Sequence, residues 1–168
     1  MRLLFERVNI DYDRLLLNDR IVDLSECINY YLYQQYDRIE VVYQSLDDTF
    51  FIARDSLIKL LYYLTKHQYK AFAKEINYLD DVKNSLNDYE LMMLMFCTIE
   101  FYIHNHQFNN ADKYLDIIKN MPFDDQNLRL LFYQQRLVVA CNTHNYVFIY
   151  KYYERLRNEY HLGYPVKQ

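Results

Sequence analysis

Glycine and proline are almost missing from this 168-residue chain: Gly163 is the single glycine, Pro122 and Pro165 are the two prolines, and there is no tryptophan. Tight hairpin turns draw their positive-φ positions from glycine, and proline fixes many loops. A β-sandwich, a barrel or a dinucleotide-binding domain needs several such positions, so these folds are excluded, and glycine-rich phosphate loops go with them. Cysteine is scarce as well. Cys27, Cys97 and Cys141 are odd in number and far apart in sequence, which is neither a disulfide framework nor a zinc pattern, and they read as small buried hydrophobes. No apolar run reaches the roughly eighteen residues of a membrane span. The opening residues, MRLLFERVNIDYDR, mix acids with bases and lack the long apolar stretch of a secretory signal. The chain reads as cytoplasmic, without a membrane partner.

What is present is 52% hydrophobic and 18% aromatic, too apolar for a disordered chain. The expectation is an all-α protein with short polar joints. The formal charge of −4 is unevenly spread: residues 75–125 hold three Lys/Arg against ten Asp/Glu, and residues 126–168 hold six against two. No continuous basic stripe of the kind that binds DNA is present, so direct nucleic-acid contact is not expected.

Apolar residues recur at helical spacing along most of the chain. The pattern predicts a helix over 1–8 broken at Asn9-Ile10-Asp11, a short turn through Leu17, and a longer helix from Asn18 or Asp19 with Ile21, Leu24, Cys27, Ile28, Tyr31 and Leu32 inward. Further helices are predicted at about 37–46, 54–66, 69–83, 88–105, 108–120, 124–142 and 146–160. Asn87 and Glu90 have capping-box spacing, Met121-Pro122-Phe123 breaks the chain, and Gly163 with Pro165 behind it reads as a helix stop.

A repeat runs through these helices. KHQY at 66–69, NHQF at 105–108 and THNY at 143–146 share one pattern at spacings of 39 and 38 residues, with YQQY at 33–36 as a looser first copy. Seven and ten residues past each aromatic stand Ile76 and Leu79, Leu115 and Ile118, Tyr153 and Leu156. A two-helix period near forty predicts stacked antiparallel helical hairpins, a tetratricopeptide-like right-handed solenoid, because one hairpin cannot bury its face without a neighbour. Residues 1–17 read as the remnant of, or the linker from, a preceding helical domain, and 18–168 as the repeat domain.

Candidate chemistry is thin. His67, His106 and His144 take equivalent places one repeat apart and cannot share an ion that needs ligands at about 2 Å. Each imidazole is expected to cap carbonyls at its helix end. The acid pairs Asp11/Asp13, Asp47/Asp48, Asp80/Asp81 and Asp124/Asp125 fall at expected joints or helix starts, where they complete orphan amides. No metal, cofactor or catalytic set is expected. Twenty tyrosines are the informative excess. AT-rich coding, which enriches tyrosine and asparagine together, is one explanation. The other is a concave groove that holds an extended peptide, lined by Asn29, Tyr33, Tyr63, Tyr102, Arg129, Tyr133, Arg136 and Asn142. Arg129 and Arg136, seven residues apart, share a helix face and are suited to clamp a carboxylate.

Two passages carry a resemblance. RLLFERVNIDYDRLL at 2–16 resembles the last helix and exit segment of an XRE-type helix-turn-helix domain. NDYELMMLMFCTIEFY at 87–102 resembles a segment of the C-terminal domain of Rgg/GadR/MutR regulators of Gram-positive bacteria, with Tyr89-Glu90-Leu91 heading a helix that ends at Phe96, Phe101 and Tyr102. The resemblance implies a cytosolic homodimer whose helical-repeat domain senses a short peptide, of quorum-sensing type. The helices that would enter DNA have no counterpart in this sequence. The expected function is therefore a non-enzymatic peptide-sensing and dimerisation domain, with a general protein-interaction scaffold as the alternative.

Overall fold

The computed structural model describes residues 24–46, 52–121 and 124–160. Among the described residues eight α-helices run in order: α1 (Leu24–Leu32), α2 (Tyr36–Gln44), α3 (Ile52–Thr65), α4 (Tyr69–Val82), α5 (Asp88–His104), α6 (Phe108–Ile118), α7 (Gln126–Asn142) and α8 (Tyr146–Tyr160), with a 3₁₀ turn at Lys83–Ser85. Among the described residues there is no strand. The helices expected from 37 onward all form, with ends within two residues of the expected ones. The helix over 1–8, the boundary expected at 17/18, Ile21 and the Gly163 stop lie outside the described residues.

The chain divides into two compact units, residues 1–86 and 87–168. In the first, α1 packs on α2, α3 packs on both, and α4 packs on α3; in the second, α5, α6, α7 and α8 repeat that order. Each unit is thus four helices in which sequence neighbours pack and the third also packs on the first. The capping box that opens the second unit is present: Asn87 Oδ1 accepts from Glu90 N–H at 2.9 Å, and Glu90 Oε2 accepts from Asn87 N–H at 2.9 Å.

The repeated tetrads are the bends of the hairpins, and the first copy belongs with the rest. Gln34, His67, His106 and His144 all have left-handed backbone, with φ of 57°, 55°, 58° and 55°. At three of the bends the closure is complete: Gln34, His67 and His106 N–H donate to the carbonyls of Tyr31, Leu64 and Ile103, and the next residue's N–H donates to those of Tyr30, Tyr63 and Tyr102. At the fourth, Asn145 N–H donates to the Ala140 carbonyl at 2.9 Å. This paired closure uses the orphan carbonyls of the helix end, and glycine usually supplies its left-handed residue. A non-glycine residue there costs roughly 1–2 kcal/mol. The chain meets that cost with side chains that act locally. The His67 ring stands edge-on to Tyr69 with Nδ1 2.9 Å from its hydroxyl, and the His106 ring stands edge-on to Phe108. His67 and His106 therefore close their helices through backbone N–H groups, and their rings turn to the aromatic residue two places on, which corrects for these two the expectation that the imidazole is the cap. Three residues then suffice to end one helix and begin the next.

The core positions follow the repeat. Five residues past the first three left-handed residues, Ile39, Phe72 and Ala111 are buried, and Ile149 past the fourth is half-buried; twelve past the last three, Leu79, Ile118 and Leu156 are buried, and Leu46 past the first is half-buried. Of the apolar pairs expected after each aromatic, Tyr153 departs, being 40% exposed where its counterpart Leu115 is fully buried. Cys27 and Cys97 are buried, but Cys141 is exposed. Asp125 caps α7 by accepting from Leu128 N–H at 2.9 Å. Asp80 and Asp81, expected at a joint, stand in the last turn of α4, where the helix dipole disfavours an acid; Asp80 instead faces Lys83 at 3.9 Å. Asp11, Asp13, Asp47 and Asp48 lie outside the described residues.

Replacing His106 by glycine removes the left-handed penalty and is expected to raise unfolding free energy by about 0.5–1 kcal/mol, whereas His106→Val is expected to lower it by about 1 kcal/mol or more. Urea denaturation followed by circular dichroism checks both; a His106→Gly variant less stable than the parent would show that the ring contact outweighs the backbone cost.

Candidate functional site

The strongest concentration of polar chemistry in the second unit is built around one buried cation. Arg136 on α7 is 1% exposed. Its Nη1 donates to Asp112 Oδ1 at 2.7 Å and its Nη2 donates to Asp116 Oδ1. The two aspartates are one helical turn apart on α6, so they present both carboxylates on one face. The guanidinium also lies over the rings of Phe132 and Phe148, 5.8 and 5.6 Å from their centroids. One side chain thereby ties α7 to α6 through charge and to α8 through an aromatic face. Beside it, Gln135 Nε2 donates to the Phe96 carbonyl at 3.1 Å and to Glu100 Oε1 at 2.8 Å, which ties α7 to α5. Hydrogen bonding and charge from Arg136, with Lys119 adding, hold the Asp116 carboxyl below the usual carboxylate range against the upward pull of partial burial.

The first unit builds its equivalent seam from rings. Tyr43 on α2 stacks on Tyr62 of α3 with centroids 3.8 Å apart and planes within 5°, and Tyr63 meets Tyr43 edge-on. Burial first, and the Tyr43 hydroxyl next, push the Tyr63 phenol up. Lys66 Nζ donates to Glu40 Oε2 at 2.7 Å and stands over the Tyr62 ring. Glu40 and Asp112 are each six residues past a left-handed bend residue, so the repeat puts an acid at the same place on α2 and α6; Lys66, in the bend just after α3, answers the first and Arg136 on α7 the second.

The residues expected to line a groove divide between the units. In the first unit Asn29 is exposed and Tyr33 is 62% exposed at the bend that ends α1, while Tyr63 is half-buried in the aromatic seam. In the second unit Tyr102 is half-buried against Tyr114, Arg129 is half-buried, and Asn142 is exposed at the end of α7. Tyr133 is buried beside Tyr152 and accepts a hydrogen bond from Arg155 Nη1 at 3.2 Å. Arg136 is brought to Asp112 and Asp116 and is committed to them. It does not share a surface with Arg129, because the face of α7 on which it lies is the one that packs. Asp112 and Asp116 were not among the expected residues. Their signal was the i, i+4 acid pair on the stretch preceding the arginine, with Glu40 at the matching place in the earlier hairpin.

Among the described residues no group of three or more His, Cys, Asp or Glu side chains is placed to hold a metal ion. Burial pushes the Cys97 thiol up, which keeps it protonated. Comparison of the chain with protein-family models, with curated proteins and with solved structures gives no match.

Replacing Asp112 and Asp116 together by asparagine leaves the Arg136 charge buried without a counter-charge and is expected to cost about 2–3 kcal/mol, after allowance for the half-open carboxylates. Arg136→Met, which removes the charge and keeps the bulk, is expected to cost less. The Asp116 carboxyl has a folded pKa below its unfolded one, so its contribution is present above about pH 4 and is lost as pH falls through the folded value. Urea titrations between pH 7 and about pH 2 are expected to show a steeper acid loss in the parent than in the doubly substituted variant; equal slopes would remove this pair from the pH dependence.

Proposed function

We propose that this chain is a non-enzymatic interaction module of the cytoplasm. In this reading its hairpins form a tetratricopeptide-like right-handed solenoid that holds a short peptide, or a peptide-like segment of a partner protein, and the chain works as a homodimer. The observation that carries the reading is Tyr33, 62% exposed on a backbone fixed by three main-chain hydrogen bonds: its own N–H to Asn29, Gln34 N–H to Tyr31 and Gln35 N–H to Tyr30. A tyrosine presented from a rigid bend loses little freedom on binding, and one turn earlier Asn29 offers an exposed amide beside it. Pre-organised aromatic anchors of this kind supply most of the free energy in peptide interfaces. Of the expected residues in the second unit, Tyr102, Arg129 and Asn142 keep a share of exposure for a ligand.

The narrower form of this reading is the peptide-sensing domain of a Gram-positive transcriptional regulator of quorum-sensing type. Its support is the likeness of residues 87–102 and the hairpin period near forty. In that form the ligand acts by favouring one of two packings of the dimer, since only a difference in affinity between states moves an equilibrium.

Isothermal calorimetry of the full chain with short synthetic apolar peptides tests the proposal. Saturable binding in the micromolar range is expected, weakened about fivefold or more by Tyr33→Ala with no change in helix content. A folded sample that gives no heat with any of the peptides at about 100 μM overturns it.

A further inference from the structure

In the second unit α7 reaches two helices of the hairpin beneath it: α5 through Phe96 and Glu100, and α6 through Asp112 and Asp116. Thirty-eight residues on, the period that separates the bends at 106 and 144, the same places are Gln134 and Val138 on α7 and Tyr150 and Glu154 on α8. The α7–α8 hairpin therefore repeats the seat on which α7 itself rests. Its surface is not that of a face left to water. Tyr146, Val147, Tyr150 and Tyr153 are 75%, 74%, 71% and 40% exposed, and Val138 is 41% exposed. Where Asp112 takes an arginine, the corresponding Tyr150 offers a ring; where Leu115 is buried, the corresponding Tyr153 is open. Exposed repeat faces are ordinarily polar, and a contiguous apolar patch of this kind marks an interaction surface.

We propose that this face is the surface through which two copies of the chain associate, α8 against α8, antiparallel about a two-fold axis. The inference rests on the homodimer of the preceding section and says where it forms. Three observations favour a second copy over an extended peptide. First, Tyr146, Tyr150, Tyr153 and Arg157 follow one another at steps of four, three and four. That sequence of steps is a helical seam, and it reads the same in both directions, as a two-fold contact requires. Second, the pairing matches cation to aromatic ring. Tyr150 of one copy lies opposite Tyr153 of the other, and Tyr146 lies opposite Arg157, so that each end of the contact sets a guanidinium against a tyrosine face. Arg157 has more than half its side chain exposed and stands 3.5 Å from Glu154 one turn before it. Third, three tyrosines and two valines from each copy bury on the order of 1,000 Å² together, the lower edge for a specific interface, which predicts a reversible dimer of micromolar affinity.

Sedimentation equilibrium of the full chain between about 1 and 200 μM tests this. The expected result is a monomer–dimer equilibrium that Tyr150→Glu and Tyr153→Glu each weaken about tenfold or more, with unchanged helix content and thermal midpoint. The register has its own reading: Tyr146→Lys, which sets a cation against Arg157 of the other copy, should weaken the dimer more than Tyr146→Glu. A dimer insensitive to all four variants overturns this interface and leaves the homodimer standing. A chain that stays monomeric over the whole range overturns both. A monomer that dimerises only when residues 161–168 are removed assigns the face to the chain's own tail, and peptide binding lost in Tyr150→Glu of a monomeric chain assigns it to the peptide; either result overturns the proposal.

Discussion

A helix that ends on a left-handed residue sends the next one back at an angle fixed by three residues of backbone. In this chain that conformation falls on Gln34, His67, His106 and His144, none of which is glycine. Everything else in each unit depends on it. At three of the four bends the residue five positions on, Ile39, Phe72 or Ala111, is buried, and at two the acid six positions on, Glu40 or Asp112, meets the base that comes with the third helix. Glycine would make the bend easier but would leave the unfolded chain freer and remove the ring that turns onto Tyr69 or Phe108. Contacts that only a side chain can make offset part of the penalty of the left-handed conformation.

The two units answer the same packing problem with different chemistry. Both must hold a third helix over a hairpin. The first does so with stacked tyrosines and one ion pair, Lys66 with Glu40, whose side chains are each about a third exposed. The second buries a guanidinium between two aspartates and two phenylalanines. Replacing a buried ion pair with apolar groups is often neutral or stabilising, so such a pair is retained more for the arrangement it specifies than for net stability. Arg136 accepts one register of α7 on α6, the one in which both aspartates are in reach. An apolar side chain at the same place would accept several.

Much of the fold was legible in the sequence. Helix positions from 37 onward followed from the 3.6-residue period, the hairpin bends from the repeated tetrads, and the head of α5 from Asn87 and Glu90. The left-handed backbone at the bends was not legible, because the rule that assigns it looks for glycine. The site was less legible than the fold. Arg136 was recognised as a residue with a task, but helical spacing alone cannot tell which of two residues seven apart faces a neighbour and which faces water. Arg129 and Arg136 share a nominal face, yet α6 and α8 close over the second. Tyr133 is a similar case: it is buried, and its hydroxyl accepts from Arg155, a partner that helical spacing does not reveal. Tyr153 was the converse case: the repeat marked it as core by analogy with Leu115, and what differs is the neighbour that covers the position.

The bends occupy three residues each, at 33–35, 66–68, 105–107 and 143–145, while the left-handed residues are 33, 39 and 38 positions apart. One residue added to or removed from a bend would rotate the following helix by about 100° about its axis and carry its buried positions out to water. The length differences between hairpins must therefore be absorbed elsewhere, in the helices or in the connections between hairpins, of which the stretch from Lys83 to Asn87 is one. The chain thus has two kinds of joint under opposite evolutionary rules. One kind tolerates changes of sequence but not of number. The other admits insertions, and it is there that related chains of different length would diverge.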